Sequence, residues 1–242
     1  MSSLRLRVFA GPNGSGKSTF ISQFPLNGKV HLGEYINADV IEASLDKLKN
    51  YKLSNLSIST NEIQEYLKTS QFSPIKINNL DLWKSFYIEN NSIKISNELI
   101  MNSYIAADLA DFLRRKYLEV KLSFSFETVL SDARKIDFLK EAKQMGYRIY
   151  LYFFCTIDPE ININRVKIRT AQAGHSVSED LIVKRYYKSL ENLKPTTLIS
   201  DRAFLFDSSE NINRLIAEIQ DGEDVEIKQL ESIPNWFITY MM

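Results

Sequence analysis

Near the start of the chain, eight consecutive residues read Gly11-Pro12-Asn13-Gly14-Ser15-Gly16-Lys17-Ser18. The spelling G-x-x-x-x-G-K-S constrains the fold more than any other stretch, because it works only between a strand and a helix. Both flanks are present. Leu4, Leu6, Val8 and Phe9 form a short apolar strand before it, and Lys17 to Phe24 reads as the first turns of a helix after it. Glycines let the backbone curl so that successive N–H groups point at one anion. The helix N-terminus adds its partial positive charge. The expected phosphate-binding set is Gly11, Pro12, Asn13, Gly14, Ser15, Gly16, Lys17, Ser18 and Thr19. Lys17 is expected to reach the β- and γ-phosphates, and the Ser18 hydroxyl to hold Mg²⁺.

Composition narrows the partners. The chain has 242 residues, enough for one large α/β domain or one carrying an insertion. Its 30 basic and 30 acidic residues balance, so no bulk charge argues for nucleic acid or a membrane surface. No apolar run approaches the roughly 20 residues that span a bilayer, and the N-terminus has no signal-peptide pattern. The expected address is the cytoplasm. The single cysteine, Cys155, excludes an intrachain disulfide and reads as a buried strand residue.

The expected fold is α/β, a three-layer nucleotide-kinase-like P-loop NTPase fold with a central, mostly parallel sheet and a helical insertion. Glu34 to Ala38 is a second strand and Val40 to Leu48 a helix, with Asp39 near its N-cap, where ligands bind in open α/β sheets. Residues 49–96 break the rhythm and are expected to be a mostly helical insertion beside the site, set into a kinase domain of residues 1–48 and 97–242. Asn97 to Glu119 is an amphipathic helix carrying Ile105, Leu109, Phe112 and Leu113 on one face. Asp108, Asp111 and Arg115 fall on its solvated side with Tyr104, a candidate acceptor contact. Val120 to Phe126 is a strand ending in Glu127-Thr128, Asp132 to Met145 a helix, and Tyr147 to Cys155 a strand apolar on both faces. Pro159 opens a helix with Arg165 and Arg169 on one side. Gly174 and His175 break the chain, and Val177 to Leu193 resumes as a helix bearing Arg185 and stopped by Pro195. Ala203 to Phe206 is a strand, Asn211 to Gln220 a helix and Val225 to Lys228 a last strand. Trp236-Phe237 reads as docked packing.

A phosphate loop binds a nucleoside triphosphate without naming the acceptor. Asp39 and Glu127 are acids at the tips of two strands. One is placed to take a proton from an attacking hydroxyl, the other to hold the acceptor or to order water on Mg²⁺. Arg165 and Arg169 precede a glycine–histidine break, as in an arm that brings positive charge to the transferring phosphoryl group. His175 contacts phosphate or caps the turn.

INAD at residues 36–39, FSFETVLS at Phe124 to Ser131, and Arg165-x-x-x-Arg169 followed by AGHSVSEDLIVKRYYKSLENL resemble the zeta-toxin family of P-loop kinases. The resemblance is closest to its compact bacterial branch and spans Leu4 to Asp207 apart from 49–96. It implies ATP and Mg²⁺ as cofactors and transfer of the γ-phosphoryl group to a hydroxyl of a small-molecule acceptor such as UDP-N-acetylglucosamine. It also implies a small antitoxin as partner. By this resemblance Asp39 falls on the catalytic base, Glu127 and Thr128 on the acceptor-binding segment, and Arg169 on an arginine at the γ-phosphate. Arg165 and Arg185 are further candidates for that role. A nucleotide or polynucleotide kinase, with Trp83, Phe86 and Tyr87 stacking a base, and a regulatory nucleotide-binding ATPase are the alternative readings.

Overall fold

Leu6, Val8, Phe9 and Ala10 are all at 0% exposure in the first strand, β1 (Arg5–Ala10). Consecutive buried residues mean that both faces of this strand are covered, as the interior of a parallel sheet requires. The computed structural model describes residues 3–23, 32–70, 76–77, 80–173 and 177–242. The chain forms two compact units, Met1–Gly33 with Ser125–Met242, and Glu34–Phe124. The second contains the whole of 49–96.

After β1 and the phosphate loop, α1 (Lys17–Gln23) completes the first stretch of the first unit. The second unit opens with β2 (Glu34–Ile36) and α2 (Ala38–Leu48). Asn37 caps α2, its Oδ1 accepting from the N–H groups of Asp39 and Val40. The cap expected near Asp39 is therefore two residues earlier, and Asp39 lies in the first helical turn, where an acid suits the helix dipole.

The elements that follow in this unit are β3 (Asn50–Lys52), α3 (Thr60–Lys68), β4 (Lys76–Ile77), β5 (Leu80–Asp81), β6 (Phe86–Glu89), β7 (Ser92–Ile95) and α4 (Ser103–Glu119). Of these, β3, β7 and β6 form a small antiparallel sheet in that order. Among its described residues, 49–96 thus mixes one α-helix with a short 3-10 turn and short hairpins, where a mostly helical stretch was expected. The hairpin signal is Asn90-Asn91, both left-handed with φ 48° and 56°, which turns β6 back into β7. Ser59 and Glu62 form a reciprocal capping box on α3.

The α4 helix starts at Ser103, later than expected, because the Asn102 side chain accepts from Tyr104 and Ile105 N–H and sets the N-terminus there. Its polar face is solvated only in part: Ser103, Tyr104 and Arg115 are exposed, whereas two acids are buried. Asp108 is 1% exposed and accepts from Ser70 Oγ. Asp111 accepts from Tyr66 Oη at 2.8 Å, Arg114 Nη2 at 2.8 Å and Arg115 Nε at 3.0 Å. These acids are buried because donors come with them.

In the remainder of the first unit, β8 (Phe124–Thr128) leads to α5 (Arg134–Gln144), β9 (Arg148–Cys155), α6 (Pro159–Ala173), α7 (Glu179–Glu191), α8 (Leu193–Ile199) and β10 (Arg202–Asp207). The chain closes with β11 (Arg214–Gln220), β12 (Asp224–Ile227) and α9 (Asn235–Met241). The strands of this unit lie in the order β12-β11-β10-β9-β1-β8. The pairs β1–β9 and β9–β10 are parallel, whereas β10–β11 and β11–β12 are antiparallel. The fold is therefore a mixed α/β fold around a central sheet, as expected.

Two expectations fail in this unit. Pro195 does not end a helix. The α7 helix stops at Glu191, and Pro195 sits in the first turn of α8, where its missing N–H costs nothing. Asn211 to Gln220 is not a helix but contains β11. Its apolar residues fit a helical period, yet Asp221 and Gly222 (φ 51° and 80°) make a tight turn into β12, and Glu223 N–H donates to Gln220 O at 3.2 Å. A register shift at Leu205/Phe206 in the β10–β11 pair lets both Ile216 and Ala217 be buried. Trp236 and Phe237 are docked as expected, at 4% and 1% exposure.

Candidate active site around the phosphate loop

The loop between β1 and α1 is shaped by close packing from β9 and α6. At Gly11 (φ 139°) a Cβ would lie 2.0 Å from the Phe154 carbonyl oxygen. At Gly14 (φ 73°) it would lie 2.7 Å from that of Asn162. No other residue fits either place without moving backbone. Asn162, fully buried, donates from Nδ2 to Asn13 O at 2.6 Å and accepts on Oδ1 from Thr156 Oγ1. The Thr156 carbonyl in turn accepts from Tyr186 Oη on α7 at 2.6 Å. The loop is thus braced from behind by residues that lie outside the motif.

Lys17 is 5% exposed. Its Nζ donates to the carbonyls of Gly11 and Pro12, both at 2.8 Å, with Ser15 Oγ at 3.5 Å and Glu127 Oε1 at 3.9 Å. Ser18 Oγ donates to Glu127, lying 3.2 Å from Oε1 and 3.1 Å from Oε2. The tip of β8 therefore brings Glu127 to the Lys17–Ser18 end of the loop. Thr128 Oγ1 is engaged locally, accepting from Leu130 N–H at 3.1 Å.

Arg165 is half-buried on α6 and committed to backbone. Its Nη1 donates to Ser208 O at 2.7 Å and its Nη2 to Ser209 O at 3.1 Å and Glu210 O at 3.0 Å. Gly14 O lies 3.5 Å from Nη1. It was expected on an arm beside Arg169, and instead it ties the β10–β11 connection to the phosphate loop. Arg169 is exposed on α6 and Arg185 half-buried on α7. His175 lies outside the described residues. Cys155 is fully buried, and burial pushes its thiol up to about 12, as befits a strand residue and not a nucleophile.

In the second unit Asp39 is exposed, its N–H donating to Asn37 Oδ1 at 2.8 Å, and Asn37 Nδ2 donates to Tyr35 Oη at 2.9 Å. Tyr104 is 63% exposed in the first turn of α4. Of the aromatics considered for base stacking, Phe86 is fully buried and so unavailable. Trp83 is half-buried, with Lys68 Nζ 4.2 Å and Lys84 Nζ 5.1 Å from its ring centroid.

Sequence reasoning missed Asn162 and the structural use of Arg165. The available signal was their spacing, one helical turn apart directly after the long strand. It also missed Asn192, whose side-chain amide donates to Leu130 O at 2.8 Å.

A metal at this site would find oxygen donors of the kind magnesium takes, the Ser18 hydroxyl and a carboxylate beside it. Among the described residues no cluster of His, Cys, Asp and Glu forms a dedicated metal cage. Among the described residues no helix is long and apolar enough to cross a membrane.

No family model matches the chain. An uncharacterized protein of Haemophilus influenzae is 34% identical over 65 residues, 27% of this chain and 46% of that protein. Among solved structures, the AvrRxo1-ORF1:AvrRxo1-ORF2 complex with sulphate ions aligns over 95% of this chain and 62% of that one, with TM-score 0.56 and 15% identity. The chain thus spans less than two thirds of the first of these relatives in each comparison. The PezAT chromosomal toxin–antitoxin system of Streptococcus pneumoniae aligns over 98% of this chain and 77% of that one, with TM-score 0.54 and 14% identity. The AvrRxo1-ORF1:-ORF2 complex has also been solved with ATP, and that chain aligns with TM-score 0.55. With its phosphate loop braced at the tip of β1, this chain shares the α/β fold of these solved structures.

Proposed function

We propose that the protein is an ATP-dependent phosphotransferase that moves the γ-phosphoryl group of ATP to a hydroxyl of a small-molecule acceptor. The observation that carries this is the convergence of Lys17, Ser18 and Glu127 at one end of an intact phosphate loop. The loop N–H groups and Lys17 bind and orient the phosphates, and Lys17 supplies charge where the leaving oxygen develops it. Magnesium, when bound, neutralises charge on the β- and γ-phosphates. Ser18 is the residue that would ligate it, and Glu127 the one that would orient its water.

Asp39 serves as general base, taking the proton of the attacking hydroxyl. Its exposure and its place in the first turn of α2 support a carboxylate accessible to an acceptor. Arg169 and Arg185, with His175, bring cationic or hydrogen-bonding groups to the transferring phosphoryl. The carbonyl bonds of Arg165 support a scaffold role for it. Thr128 and Tyr104 are acceptor contacts, and the 49–96 insertion contributes to the acceptor site. The ATP-bound AvrRxo1 complex supports ATP as donor. The PezAT toxin–antitoxin neighbour supports a small inhibitory protein as partner, and a UDP-N-acetyl amino sugar is the leading acceptor because the motif resemblance implies it.

The test is ATP consumption by purified protein with and without UDP-N-acetylglucosamine, then with a pool of hydroxylated metabolites. Turnover that requires an acceptor is expected. Equal ATP hydrolysis with and without acceptor would replace the kinase reading with that of an ATPase.

A further inference from the structure

The segment just beyond Glu127 holds a strained turn. Leu130, 1% exposed, has φ 61°, a left-handed conformation that a branched apolar residue rarely adopts. It is held from both sides. Leu130 N–H donates to Thr128 Oγ1 at 3.1 Å, and Leu130 O accepts from Asn192 Nδ2 at 2.8 Å.

Asn192 stands where α7 ends and α8 begins. Its backbone serves both helices: its N–H donates to Lys188 O at 3.2 Å, and its carbonyl accepts from Thr196 N–H at 3.2 Å and Thr196 Oγ1 at 2.7 Å. An asparagine at such a junction ordinarily caps with its side chain. Here that side chain makes no cap bond and reaches Leu130 instead. A strained residue persists only where its surroundings over-determine it, and this class of strain concentrates at functional sites. The bonds run without a break from Asn192 to Leu130, to Thr128, to its neighbour Glu127, and from Glu127 to Ser18.

We propose that Asn192 is a positioning residue: through the Leu130 turn it fixes Glu127 against Ser18, and so sets how strongly magnesium assists ATP binding. The proposal rests on the reading of Ser18 and Glu127 as the metal end of a phosphate loop. It makes the α7–α8 junction, remote in sequence from the motif, a determinant of metal-assisted nucleotide binding.

The experiment measures ATP affinity by calorimetry on the full chain, in excess Mg²⁺ and in EDTA, and takes the ratio. Glu127→Gln is expected to lower that ratio by about tenfold, the scale for groups that orient metal ligands. Asn192→Leu is expected to lower it comparably, and the double variant to be no worse than Glu127→Gln alone, as for two residues acting through one contact. Asn192→Asp, near-isosteric and unable to donate, serves as the second variant should the leucine disturb folding. A purely structural Asn192 would lower the melting temperature and leave the ratio intact, which overturns the proposal. Additive losses in the double variant overturn it as well. An unchanged ratio in Glu127→Gln removes the contact through which Asn192 is said to act, and absence of ATP binding by the wild type sinks the kinase reading itself.

Discussion

Ser18 and Glu127, 109 positions apart, share a hydrogen bond in which one hydroxyl faces both oxygens of one carboxylate, at 3.2 and 3.1 Å. A residue of the phosphate loop and the tip of β8 thus meet at the place where the loop's lysine also lies, 3.9 Å from the same carboxylate. The sheet order assembles this end of the phosphate loop, since β8 is the neighbour of β1.

Lys17→Ala is expected to weaken ATP binding by about a hundredfold or more. An ammonium lost from two phosphate contacts forfeits charge-assisted bonds of about 1.5–3 kcal/mol each, and about 1.4 kcal/mol is a factor of ten. Calorimetric titration with ATP checks it, and retained affinity would place the phosphates elsewhere.

Asp39→Asn is expected to leave ATP affinity unchanged and to cut acceptor-dependent turnover by about a hundredfold or more, the scale of a general base. Steady-state kinetics with a working acceptor decide this. Wild-type turnover in the variant removes Asp39 from the chemistry.

Gly14→Ala is expected to destabilise the protein by roughly 1–3 kcal/mol, since it forces a side chain into left-handed backbone facing a fixed carbonyl. The contact it would create is 2.7 Å to Asn162 O. Urea unfolding of the variant measures the loss, and a midpoint equal to wild type would contradict the packing described.

Glu62 predicts an acid-dependent term. The Lys116 ammonium first, then the Ser59 N–H and hydroxyl, hold its carboxyl down to about 2. A lowered folded-state value stabilises above the unfolded pKa near ~4.3 and is lost as pH falls through the folded one. Its side chain is 40% exposed, so solvent screening limits the contribution to below about 1 kcal/mol. Glu62→Gln should therefore melt slightly below wild type at about pH 6, with the gap closing between about pH 4 and pH 2. A gap that widens on acidification would reverse the sign argued here.

Cys155 should resist thiol reagents in the native state at about pH 8 and react on unfolding, because burial keeps it protonated. Fast labelling of the folded protein by a disulfide reagent would show the strand to be accessible.

The parts of this molecule written in contiguous residues were legible. The phosphate loop and the strands on either side of it in the sheet follow from local patterns, although β8 runs Phe124–Thr128 where Val120–Phe126 was expected. Patterns shared by two structures were not. In Asn211–Gln220 the apolar spacing fits a helix, and only the Asp221-Gly222 turn reveals a strand. On α4 the periodicity placed Asp108 and Asp111 in solvent, but Ser70 and Tyr66 arrive from a distant segment to satisfy them. Arg165 looked like a free cation because nothing near it in sequence shows that its partners are carbonyls 43 to 45 residues away. Tertiary donors and acceptors carry no one-dimensional signature.

Arg165 grips carbonyls on the β10–β11 connection and reaches Gly14 O with one guanidinium, so two backbones from opposite ends of the chain are set in place during folding. A nucleotide bound there, as proposed, would meet a mould already cast, and little of its binding energy would go into freezing these strands of chain. A change at this arginine would then masquerade as lost ligand recognition even where its whole effect was on the shape of the peptide groups it grips.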